Sequence, residues 1–244
     1  MTHTASFAVI IPAAGSGSRF GGGDKLLVDL GGLTVLQRSV ALFAHRPDVR
    51  HITLVTAPDR FEAYRSHLRS IVSPDKLHFV PGGRERWESV LNGLRSLSSL
   101  TPPPLFVGIH DAARPLTPPA IIDEAFRVTV ERDAALPCLA EPATLKRMGE
   151  NGCVAATIDR RGLYQAQTPQ CFNVAKLLAG FEKLHAANQL ADVTDDAQVF
   201  ERNGWPVPIS TGSPLNLKIT TAADVELARA IVASSTSTDS SHAR

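Results

Sequence analysis

The chain has 244 residues, with 25 Lys plus Arg against 24 Asp plus Glu, so its formal net charge is +1; 43% of the residues are hydrophobic and 20% charged. Balanced charge provides no bulk attraction to nucleic acid or anionic membrane, and 17 glycines with 17 prolines are too few for a low-complexity or collagen-like chain. No apolar run approaches the ~20 residues that span a bilayer, and residues 7–14 make a poor signal peptide because no Lys or Arg precedes them and Pro12 interrupts them. The widely spaced Cys138, Cys153 and Cys171 form no zinc knuckle and read as reduced thiols. A cytoplasmic protein with neither a nucleic-acid nor a membrane partner is expected.

Residues 7–11 are a short continuous apolar run, predicting a strand buried on both faces. A small-residue loop follows as far as Lys25. Thr34 can cap a helix that places Leu36, Val40 and Phe43 on one face, and Pro47 ends it. Residues 51–56 predict a strand, 59–71 a helix and 77–80 a strand. Pro81-Gly82-Gly83 then turns the chain into a helix with Val90, Leu91, Leu94 and Leu97 as its stripe. Beyond the stiff linker Thr101-Pro102-Pro103-Pro104 come a strand at 105–109, a helix at 118–130 and a strand at 134–139.

From about 141 to 166 the alternation breaks into a polar segment with Asn151-Gly152 as a hairpin signal, which reads as an arm inserted in the scaffold. Helices near 173–187 and after Thr194, a strand near 207–210 and a helix opened by Thr221-Ala222-Ala223-Asp224 complete the pattern. The expected fold is α/β: a single Rossmann-like domain over residues 1–233, its mostly parallel sheet covered by helices on both faces. The Ser/Thr-rich residues 234–244 are expected to be disordered.

In such sheets ligands bind beyond the carboxyl ends of the strands. The loop from Pro12 to Lys25 occupies that place. Its small residues, Ala13, Ala14 and Gly15 among them, allow a ligand close to the backbone, and Arg19 and Lys25 add two cations, which together point to a phosphate site. It is neither a Walker loop, lacking Gly-Lys-Ser/Thr, nor a dinucleotide fingerprint, because Phe20 stands at the third glycine. Asp111 ends an apolar strand, where a solitary carboxylate is costly to bury; it is a candidate Mg²⁺ contact. His110 is read as a hydrogen-bonded neighbour without a catalytic role.

Four further segments carry a resemblance. Gly82-Gly83-Arg84-Glu85-Arg86-Trp87-Glu88-Ser89-Val90, His110-Asp111-Ala112-Ala113-Arg114-Pro115, Asp159-Arg160-Arg161-Gly162-Leu163 with Gln167-Thr168-Pro169-Gln170, and Asn216-Leu217-Lys218-Ile219-Thr220 together resemble the 2-C-methyl-D-erythritol 4-phosphate cytidylyltransferase family over about residues 7–231. The resemblance implies transfer of CMP from CTP to the polyol phosphate with release of diphosphate. Arg19 and Lys25 would stabilise the transition state at the CTP phosphates, while Lys218 and Arg160 would orient the acceptor. Ala13, Ala14, Gly15, Gly83, Arg86, Ser89 and Ala112 would bind the nucleotide, Arg114, Thr144 and Thr168 the acceptor, and Asp111 the magnesium. A homodimer with embracing arms is also implied. The sequence departs from the family pattern at Asp24, where proline usually precedes the lysine, at Leu215, where an acidic residue is common, and at Trp87, which is larger than usual. A ribitol-5-phosphate cytidylyltransferase and a non-catalytic nucleotide sensor are the rival readings. A sensor is expected to have lost one of the cations.

Overall fold

The computed structural model describes residues 6–15 and 23–241, with side chains as far as Ser234. The first half contains β1 (Phe7–Pro12), α1 (Val35–Ala44), β2 (Val49–Thr56), α2 (Phe61–Leu68), β3 (Leu77–Pro81), α3 (Arg86–Leu97) and β4 (Phe106–Ile109). Then follow α4 (Pro119–Arg132), β5 (Ala134–Ala140), β6 (Leu145–Met148), β7 (Val154–Ile158), β8 (Tyr164–Ala166) and β9 (Gln170–Asn173). The chain continues through α5 (Val174–Ala186), α6 (Ala197–Arg202), β10 (Ile209–Thr211) and α7 (Ala222–Ser241).

The main sheet runs β10-β5-β9-β4-β1-β2-β3, with β8 added to β5. The β1–β2, β1–β4, β2–β3 and β5–β10 pairs are parallel, and β9 is antiparallel to both β4 and β5. The apolar run of β1 has the explanation its composition suggests. Val9 and Ile11 face one core with Leu36, Val40, Phe43 and Phe126 of α1 and α4. Ala8 and Ile10 face the other, with Leu94, Leu177 and Phe181 of α3 and α5. A strand with both faces covered has no polar side.

Local signals set the helix starts. Thr34 accepts from the Gln37 amide while Gln37 accepts from the Thr34 amide, a complete capping box. At α7 the Thr221 amide donates to Asp224 Oδ2 at 2.7 Å. The arm forms its own two-stranded sheet of β6 and β7, and its tip is a five-residue loop in which Gly152 has φ +74°.

Three elements differ from expectation. β8 and β9 are three and four residues long, too short for alternation to register, and exist because β4 and β5 offer pairing edges. The last helix continues through the Ser/Thr-rich segment to Ser241. Val225, Ala228 and Val232 are buried along α7, and once a helix is nucleated each further residue adds a hydrogen bond.

Candidate active site

The ends of β1, β2 and β3 are tied to one another. The Ala13 amide donates to the Val55 carbonyl at 2.7 Å, the Gly82 amide to the Thr56 carbonyl at 2.9 Å, and the Thr56 hydroxyl to the Ala13 carbonyl at 3.2 Å. The approach is so close that a Cβ on Gly82 would lie 2.5 Å from Ala14 Cβ, so only glycine fits. Ser89, buried on α3, accepts from the Gly83 amide at 3.0 Å and donates to the Glu85 carbonyl at 3.3 Å, fixing the Gly83–Glu85 backbone. Between these two walls lies a cleft of about 340 Å³, lined by Ala13, Ala14, Gly15, Lys25, Gly83, Arg86, Ser89, Asp111, Ala112 and Lys218 among others.

Charge in the cleft converges on Asp111. Its carboxylate lies 2.8 Å from Lys218 Nζ, 3.5 Å from Arg114 Nε and 3.7 Å from Arg86. Burial alone would raise its pKa, but Arg86, Lys218 and Arg114 outweigh it and hold the carboxyl well below the ordinary range. Arg86 also reaches Asp196 at 2.7 Å, and Asp196 is 1% exposed. Burial, resisted by Arg86, leaves the Asp196 pKa raised. The Asp196 and Ala197 amides both donate to Gln170 Oε1, at 3.0 Å each.

Asp111 is held from behind by a directed chain of hydrogen bonds. Its amide donates to the Thr168 hydroxyl at 3.1 Å, and that hydroxyl is 3.1 Å from His110 Nδ1. His110 Nε2 lies 3.0 Å from the Arg114 carbonyl, which can only accept, so Nε2 carries the proton and Nδ1 accepts from Thr168. Burial pushes the His110 pKa down to about 4, so the ring is neutral at pH 7. Thr168 thus sits buried behind Asp111 with its hydroxyl committed, and His110 is the hydrogen-bonded neighbour expected of it.

The segment carrying Lys218 is pinned in the same way. Asn216 is buried, donates to the Thr168 carbonyl at 2.9 Å and accepts from the Thr117 hydroxyl at 2.8 Å. Arg114 donates to the Asn216 carbonyl at 2.6 Å. Lys25 Nζ donates to the Ile219 carbonyl at 3.3 Å, which brings the two lysines to one side of the cleft. Arg19 lies outside the described residues. Thr144 and Arg160 are exposed on the arm, where Arg160 donates to the Pro142 carbonyl, and neither lines the cleft.

Trp87 packs into the core beside His185, off the cleft, so its size leaves the cleft unchanged. Gln170 stands in a motif quoted from the sequence but without an assigned role, and Asp196 is not singled out there. Asp195-Asp196 before an apolar run reads as an ordinary helix start, and only the fold shows one of that pair buried against Arg86.

Parallel strands that end in a cleft with glycine-tight backbone walls, with Lys218, Arg114 and Arg86 around one carboxylate and Lys25 in the lining, define an α/β nucleotidyltransferase. Residues 7–234 match the family 2-C-methyl-D-erythritol 4-phosphate cytidylyltransferase (IspD), and the chain belongs to that family. It is 37% identical to the enzyme of that name from Rhodopirellula baltica over 241 residues, covering 95% of this chain and 97% of the relative. It is 40% identical to the bifunctional enzyme IspD/IspF of Rhodospirillum rubrum over 225 residues, 92% of this chain but only 56% of that longer protein. Among solved structures, 4-diphosphocytidyl-2C-methyl-D-erythritol synthase from Anaerococcus prevotii superposes with a TM-score of 0.79 at 27% identity, covering 94% of this chain and 99% of that one. The Francisella tularensis 2-C-methyl-D-erythritol 4-phosphate cytidylyltransferase gives 0.78 at 29% identity, covering 92% and 98%.

Proposed function

We propose that this chain transfers CMP from CTP to 2-C-methyl-D-erythritol 4-phosphate, releasing diphosphate and forming 4-diphosphocytidyl-2-C-methyl-D-erythritol. The observation that carries the proposal is the convergence of Lys25, Lys218 and Arg86 on the Asp111 cleft. An oxygen of the acceptor phosphate attacks the α-phosphorus, a new P–O bond forms, and the bond to the β-phosphate breaks with its electron pair leaving on diphosphate. The second pKa of a phosphate monoester is about 6, so the nucleophile is already ionised at pH 7 and no general base is required. The demand is for positive charge preorganised around a crowded anionic transition state. Arg19 and Lys25 supply it at the CTP phosphates and Lys218 orients the acceptor, while Arg160, which lies off the cleft of its own chain, orients the acceptor in the cleft of a second copy. The Gly83 and Ala14 walls and Ser89 form the nucleotide pocket.

The chemistry of the donor set fits one magnesium ion carried with the nucleotide. Among the described residues no group of three or more His, Cys, Asp or Glu could hold a metal by itself, and Mg²⁺ is commonly held by one or two carboxylates plus substrate phosphates. Asp111, kept ionised at the cleft, would be that carboxylate. When bound, the ion would neutralise phosphate charge.

The homodimer is supported by the arm. Met148, Val154 and Tyr164 on it are 75%, 64% and 51% exposed, and such apolar surface calls for a partner. Cytoplasmic residence accords with the buried free cysteines Cys138 and Cys171. Among the described residues no helix is long and apolar enough to cross a membrane.

Diphosphate release with CTP, Mg²⁺ and a panel of acceptors tests the assignment. Rapid release with 2-C-methyl-D-erythritol 4-phosphate and much slower release with ribitol 5-phosphate is expected. The reverse order would transfer the assignment to the ribitol ester, and no release with either would favour a sensor.

A further inference from the structure

Lys25 belongs to a 3-10 turn of three residues, Lys25–Leu27, which is too short to fix its own position. Asp24 precedes it and caps the turn: Oδ1 accepts from the Leu26 amide at 3.0 Å, and the Asp24 carbonyl accepts from the Leu27 amide at 2.9 Å. Capping uses one carboxylate oxygen. The other receives the Tyr64 hydroxyl at 2.5 Å and lies 3.5 Å from Arg60. Arg60 also donates to the Tyr64 hydroxyl at 3.3 Å, closing a three-membered network.

Tyr64 comes from α2, outside the cleft lining, and is 1% exposed in the same core cluster that buries Leu26. Lys25 is therefore flanked on one side by a residue tied to α2 and on the other by a residue anchored in the core. From there its ammonium reaches the Ile219 carbonyl beside Lys218. We propose that Tyr64 and Asp24, braced by Arg60, are positioning residues that set the Lys25 ammonium in the cleft and so couple α2 to the transfer reaction.

The chemistry suits a permanent brace. Burial, reinforced by the Asp24 carboxylate, holds the phenol pKa far above its ordinary value, so Tyr64 stays a donor at any working pH. A hydroxyl-to-carboxylate bond is among the short, strong ones. Small displacements of a charged group at a reacting centre carry a large rate penalty, of the order of 10²-fold for 1 Å.

The proposal rests on the cytidylyl-transfer reading for its kinetic arm, so the test pairs kinetics with a readout independent of turnover. Tyr64→Phe keeps the buried ring and removes only the hydroxyl. It is expected to lower kcat about tenfold, with KM for the acceptor changed less than twofold. In a Lys25→Ala background, followed in single turnover with excess enzyme, adding Tyr64→Phe is expected to change the rate less than twofold, because the group it positions is gone. Asp24→Asn, which keeps a capping and accepting oxygen, is expected to retain more activity than Asp24→Ala. An equal tenfold loss in both backgrounds, or an unchanged kcat for Tyr64→Phe, overturns the proposal. Amide hydrogen exchange serves as the second readout. The Leu26 and Leu27 amides are expected to exchange at least tenfold faster in Tyr64→Phe while those of Val9–Ile11 do not change. Unchanged exchange at Leu26 and Leu27 refutes the clamp whether or not the wild type transfers CMP, and absent transfer with faster exchange removes only the functional reading.

Discussion

Replacing Thr168 by valine removes one hydroxyl at nearly constant volume from a fully enclosed chain of hydrogen bonds. In the native protein that hydroxyl accepts from the Asp111 amide and donates to His110 Nδ1, each at 3.1 Å. His110 is 0% exposed and cannot recruit water in its place. Thr168→Val therefore strands a buried acceptor and a backbone donor, each costing about 1–3 kcal/mol, and the gained methyl returns about 1 kcal/mol. The net expectation is a loss of about 1–5 kcal/mol, which at roughly 2–4 °C per kcal/mol for a protein of this size lowers Tm by about 2–20 °C. Thr168→Ser keeps the hydroxyl and gives up one methyl, so its cost is about 1 kcal/mol. Urea unfolding at pH 7.5 measures both variants, and ¹⁵N spectra of the His110 ring report whether Nε2 still carries the proton. Two outcomes refute the reasoning: Thr168→Val within 0.5 kcal/mol of wild type, or Thr168→Ser less stable than Thr168→Val. A raised KM for the acceptor with unchanged stability would instead mark Thr168 as the acceptor contact that the family resemblance implies.

Stability is expected to fall on mild acidification. The His110 pKa is about 4 in the folded protein against 6.5 unfolded, so the folded state binds fewer protons in that window; stability present above pH 6.5 declines by about 3 kcal/mol by pH 4. His51, lowered by burial and then by His78, Arg50 and Lys76, acts with the same sign, while Asp196, raised by burial, acts with the opposite one. Urea unfolding between pH 7.5 and 4 checks this, and a flat profile would contradict it. Lys25→Ala alone is expected to lower kcat by about 10²–10³ without loss of fold. If Arg160 serves the partner's cleft, co-assembling equal amounts of Lys25→Ala and Arg160→Ala subunits is expected to restore about a quarter of wild-type activity, because half the dimers are mixed and each has one intact site. No recovery in co-assembled dimers, verified by sedimentation, would place Arg160 at its own subunit's site.

The sequence by itself determined the alternation of strands and helices, the helix starts at Thr34 and Thr221, the interruption by the arm, and the loops in which Lys25, Asp111 and Lys218 stand. These are properties of neighbouring residues: apolar period, capping side chains and turn-forming pairs act over one or two turns of chain and are legible wherever they occur. The tertiary structure alone decided that β9 enters the sheet antiparallel between β4 and β5, since a four-residue strand has no pattern apart from the edges that accept it. It alone joined Asp196 to Arg86 across 110 residues, Thr168 to Asp111 across 57 and Tyr64 to Asp24 across 40. A single buried polar residue leaves no periodic signal, because its partner is chosen by the packing of elements distant in the chain. The cations of the cleft could thus be named from sequence, whereas the groups that aim them appear only once the sheet has brought those elements together.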